Sequence, residues 1–112
     1  MDSVKLIFIA LFFNLFDFLT GFIQALKNKE IKSNKMRNGL FKKVGFIFCY
    51  VLAFSLDTWG HTVGIELPVV VLPVIIGYTV LTECVSIIEN ICKINSDLIP
   101  QKLKKMFHLG DK

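Results

Sequence analysis

Asn14, Asp17, Gly21 and Gln24 recur at steps of three, four and three within an otherwise apolar stretch. At about 100° per residue they fall in one helical stripe roughly 80° wide, with Thr20 at its margin. A charged carboxylate in the middle of a membrane span costs about 2.5–3.5 kcal/mol, so Asp17 must face a partner, face water or give up its charge. The stripe is therefore a helix-association or pore-lining face; the plainer alternative is one buried hydrogen bond inside a monomeric bundle. A second set, Gly45, Cys49, Ala53 and Asp57, is spaced by four, and small residues in such ladders let helix backbones approach closely. Asp57 falls near the end of its stretch, where water can solvate it. A third set aligns Thr79, Thr82, Glu83, Ser86, Asn90 and Lys93. Thr82, Glu83, Ser86, Glu89 and Asn90 are read as helix-association or pore-lining residues, Glu83 being the deeper carboxylate; the plainer alternative is ordinary amphipathicity near the interface, with Glu89 close enough to Lys93 to pair with it.

No residues are arranged for catalysis. His61 and His108 are far apart, and no cysteine or histidine has zinc-site spacing. There is no phosphate-binding glycine loop and no nucleophile elbow. The sequence thus predicts no enzyme, no cofactor and no metal.

The elements that position these side chains follow from composition. The chain has 112 residues, 54% of them hydrophobic, with mean hydropathy +0.60 and a net charge of +4. That leaves too little polar surface for a soluble domain of this size. Three cysteines, an odd number in apolar stretches, exclude a disulfide scaffold, and 11 phenylalanines exclude disorder. A single small polytopic membrane domain over residues 1–112 remains, all-α, with spans at about 6–26, 40–59 and 67–94. No small-residue cleavage site follows the first span, so it is read as retained. Pro73 does not suit a helix interior: either the third helix kinks there or it begins later.

The connections set an expected orientation. The loop 27–43 carries Lys27, Lys29, Lys32, Lys35, Arg37, Lys42 and Lys43 against Glu30 alone, and the tail 95–112 carries Lys102, Lys104, Lys105 and Lys112. Trp59–Glu66 has no Lys or Arg. Basic loops stay in the cytoplasm, so three spans with Met1 outside and the C-terminus inside satisfy every connection. These lysines, apart from Lys112, and Arg37 are read as contacts to lipid headgroups, with no nucleic-acid partner. Ser33 is the expected N-cap of the second helix. Ile99, Leu103, Met106 and Phe107 share a face, as in a short amphipathic helix on the inner membrane surface.

Asp17-Phe18-Leu19-Thr20-Gly21, then Ala25 and the lysine-rich loop with Ser33, Gly39 and Lys43, resemble the phage holin family that includes the clostridial toxin-secretion holins. The run Glu83-Cys84-Val85-Ser86-Ile87-Ile88-Glu89-Asn90 also fits, as does Pro100 followed by Leu103-Lys104-Lys105. The resemblance implies a homo-oligomer of the bacterial cytoplasmic membrane that forms lesions and lets an endolysin or toxin pass as cargo, with an antiholin as a further partner. Two other readings stand beside it: a small ion channel or proton-coupled transporter, and a holin inhibitor or assembly partner.

Overall fold

The computed structural model describes residues 2–29 and 32–106. Three long helices account for most of them: α1 (Ser3–Lys27), α2 (Ser33–Trp59) and α3 (Val71–Ile94). A single 3-10 turn, His61–Val63, follows α2; a second, Ser96–Leu98, leads to the short helix α4 (Gln101–Met106). Among the described residues there is no strand. The three long helices have 25, 27 and 24 residues, each apolar and long enough to cross a membrane. At about 1.5 Å per residue each exceeds the roughly 30 Å of a hydrocarbon core.

Local chemistry explains the ends. The Asp2 carboxylate accepts from the Val4 N–H at 3.1 Å and the Lys5 N–H at 3.4 Å, capping α1. Ser33 is the first helical residue of α2 and does not cap it; the N-cap position falls to Lys32, which makes no side-chain cap bond. Gly64 turns the chain after α2 with φ of 85°, a backbone conformation that costs glycine little. The alternatives raised by Pro73 resolve to a late start. Residues 67–70 are not helical, and α3 opens at Val71, which puts Pro73 in the first turn, where a missing N–H costs no hydrogen bond.

The chain folds back twice. Asn28 at the end of α1 donates to the Lys93 carbonyl, and the Lys27 ammonium donates to the Ile94 carbonyl, so α1 and α3 finish together. Asp57, near the end of α2, meets the start of α3. Helix α2 therefore runs antiparallel to the other two, and α1 packs most extensively on α3. A small apolar core of Ala10, Tyr50, Ala53, Leu72 and Ile76 closes the end of the bundle where α2 finishes. Toward the other end the interior turns polar. Phe8, Phe12, Phe48, Leu52, Tyr78 and Leu81 all face outward, with Phe48 70% exposed. Apolar outside and polar within is the distribution that suits a lipid solvent.

The tail departs in detail from its expected pattern. Helix α4 includes Leu103 and Met106, but Ile99 precedes it, and Phe107 and His108 lie outside the described residues. Met106 is exposed and Leu103 half-buried.

Candidate functional site

The polar interior is organised by one lysine. Lys43 Nζ, from α2, donates to Asp17 Oδ2 on α1 at 2.8 Å and to Glu83 Oε2 on α3 at 3.1 Å. Expected at the headgroups with the other loop lysines, Lys43 instead ties all three helices together. Its side chain is 12% exposed, that of Asp17 14%, and that of Glu83 fully buried. The triad holds two carboxylates to one ammonium. Breaking such a buried arrangement by removing one partner typically costs about 3–5 kcal/mol.

Asn90 extends the cluster. Its side-chain amide donates to Asp17 Oδ1 at 3.2 Å, to the Asp17 carbonyl at 3.3 Å and to Thr20 Oγ1 at 3.0 Å. Thr20 in turn donates to the Phe16 carbonyl at 3.0 Å. Gly21 faces this amide: a Cβ there would stand 3.4 Å from Asn90 Nδ2, in ordinary contact. Gln24 is buried one turn on, where its Oε1 accepts from the Asn28 amide at 3.2 Å.

A second polar layer lies toward the start of α1. Asn14 Nδ2 donates to the Tyr50 hydroxyl at 2.9 Å, and both side chains are buried. Thr79 is fully buried beside Glu83 on the same face of α3, one turn away. Among the described residues, Asn14 Oδ1, Thr79 Oγ1 and Glu83 Oε1 are buried without a hydrogen-bond partner.

The structure thus brings together Asn14, Asp17, Thr20, Gly21, Gln24, Glu83 and Asn90 from the sequence-predicted sets. Thr82 and Ser86 are half-buried at the edge of α3. Glu89 is exposed and, among the described residues, forms no ion pair with Lys93. The α2 ladder divides: Ala53 is buried in the apolar core, whereas Gly45 and Cys49 face outward. Asp57 is an end cap. Its Oδ1 and Oδ2 accept from the Val71 and Leu72 N–H groups at 2.7 Å each, closing the start of α3. Lys27, Lys29, Lys32, Lys35, Arg37, Lys42, Lys102 and Lys105 are exposed, while Lys104 donates to the Ser96 carbonyl at 2.7 Å. Lys42 also stands 5.7 Å from the centre of the Phe46 ring.

Sequence reasoning missed Lys43 and Tyr50 as interior residues. The available signal was the series Gly39, Lys43, Phe46, Tyr50, Ala53 and Asp57, whose alternating steps of four and three keep it within about 80° of the helix surface.

No match was found among curated proteins or among solved structures. The bacteriophage holin family does match, over residues 2–110. That match spans all three helices and every residue of the triad, and with the apolar exterior it makes this multi-pass membrane protein a member of the bacteriophage holin family.

Proposed function

We propose that the chain works as a holin. It gathers in the bacterial cytoplasmic membrane with Met1 outside and the C-terminus inside, self-associates, and opens lesions that release an endolysin or toxin. The holin family is not an enzyme family, and the proposed role is physical rather than catalytic.

One observation carries the mechanism: the charged triad of Asp17, Lys43 and Glu83 is enclosed by helices whose outer faces are apolar. While the three helices stay packed, most of the polar stripe is turned inward, Asp17, Gly21, Gln24, Lys43 and Asn90 reaching solvent only along a cleft between the helices, and the outer faces present hydrocarbon-compatible surface. The packed state is not fully satisfied, because two buried acceptors, Asn14 Oδ1 and Glu83 Oε1, lack donors among the described residues. Each such group costs about 1–3 kcal/mol that water would return. Separation of the helices around water hydrates the carboxylates and those oxygens together. Many copies doing so side by side would line a lesion with the faces that one copy keeps inside.

The test is release of a folded cytoplasmic enzyme from bacteria expressing the chain, followed in time beside membrane potential. Late, abrupt escape of the enzyme is the expected result. Loss of potential without escape would indicate a small channel, and neither event would indicate an inhibitor or a transporter.

A further inference from the structure

We infer that the cleft at the end of the bundle where α1 and α3 finish and α2 begins is a seat for the headgroup of an anionic phospholipid. The cleft has a volume of about 250 Å³. Four lysines line it, Lys32, Lys35, Lys43 and Lys93, against the carboxylates of Asp17 and Glu89, with Glu83 directly behind Lys43, an excess of one positive charge. Lys43 is engaged by Asp17 and Glu83. Lys32, Lys35 and Lys93 form no ion pair among the described residues. They converge from the start of α2 and the end of α3, so the fold, and not a local run of lysines, concentrates the charge.

The remaining lining suits a lipid better than a bare ion. Phe18 and Met36 give apolar wall beside the ammonium groups, as the glycerol and first methylenes of a phospholipid require. The first turn of α2, which also lines the cleft, has no side-chain cap on its N–H groups, and such groups favour an anion. The mouth of the cleft, at Lys32, Lys35, Met36 and Lys93, stands at headgroup depth when the three helices cross a bilayer, while its floor at Asp17 and Lys43 lies about 15 Å deeper; basic pockets between transmembrane helices bind headgroups with two phosphates. Lys32, Lys35 and Lys93, the lining lysines without an ion pair among the described residues, suit that class. Nothing in this inference depends on lesion formation.

The experiment is native mass spectrometry of the full chain in neutral detergent, titrated with diphosphatidylglycerol. Phosphatidylglycerol, phosphatidylcholine and inorganic phosphate serve as comparators. One diphosphatidylglycerol per chain is expected, bound at least about tenfold more tightly than phosphatidylcholine. Lys35→Gln combined with Lys93→Gln should weaken it about thirtyfold, from two lost phosphate contacts. Lys102→Gln, Lys104→Gln and Lys105→Gln together, outside the cleft, should leave it within about twofold. Equal losses from both sets would overturn the site in favour of diffuse basic attraction. Equal affinity for phosphatidylcholine would overturn the charge argument, and equally tight inorganic phosphate would overturn a lipid as the source. If the paired glutamine variant loses helix content, Glu89→Gln supplies the test: it raises the positive excess and should tighten binding about fivefold, and unchanged affinity would overturn the proposal.

Discussion

Lys43 and Glu83, 40 residues apart in the chain, meet at 3.1 Å between α2 and α3, and the Glu83 side chain is wholly buried there. Asp17 completes the contact from α1 at 2.8 Å. Because two acids share one base, the three members are not equivalent, and their removal should not be either.

Lys43→Met leaves two carboxylates facing each other without a cation. It should be the most damaging single change, destabilising the packed bundle by about 3–5 kcal/mol and bringing permeabilisation forward. Asp17→Leu leaves a balanced Lys43–Glu83 pair, so its loss of stability should be smaller, although it too shifts the onset strongly. Thermal melts in detergent and enzyme-release timing rank the two. Unchanged timing in the Asp17 variant would sink the proposed role of the stripe. Neutralising Lys102, Lys104 and Lys105 should only tune the onset.

Asp57→Ala removes both acceptors from the start of α3. A lost helix cap costs about 0.5–2 kcal/mol. Hydrogen exchange at the Val71 and Leu72 amides should quicken while the amides around Glu83 change little.

Gly21→Ala places a methyl group 3.4 Å from Asn90 Nδ2, an ordinary contact, and should leave stability within about 1 kcal/mol. Gly21→Leu has no such room. It should displace Asn90 from Asp17 and Thr20 and lower the melting temperature well beyond the alanine variant.

Cys49 and Gly45 are exposed on α2, away from the other two helices. If self-association uses this face, mild oxidation of a Cys84→Ser, Cys92→Ser background should trap a Cys49 disulfide dimer in membranes. Gly45→Leu should then abolish the dimer. A monomer that persists under oxidation would place the association face elsewhere.

Much of this was legible in the chain, for physical reasons. The α1 stripe was readable because its steps of three and four track the helical period of about 3.6. The α2 ladder divides for a related reason: uniform steps of four drift about 40° each, so Gly45 ends about 80° from Ala53 and the two share no face within the chain. Lys43 was hidden by its neighbours. A lysine beside Lys42 at the edge of a basic loop reads as a snorkelling side chain; only its register with Tyr50 and Ala53 marks it as interior. The cap made by Asp57 was beyond sequence reasoning, since it joins residues 14 and 15 apart through a turn that no local pattern specifies.

The wide spacing of the triad also sets a chronology. Asp17 precedes Lys43 by 26 residues, and Glu83 follows 40 residues after that. At about 5–20 residues per second of synthesis, the first carboxylate waits roughly 1–5 s for its cation and roughly 3–13 s for the third member. A nascent first helix thus carries an unaccompanied acid when it meets the membrane. The hairpin of α1 and α2 is the first unit of the chain in which Asp17 can meet its cation.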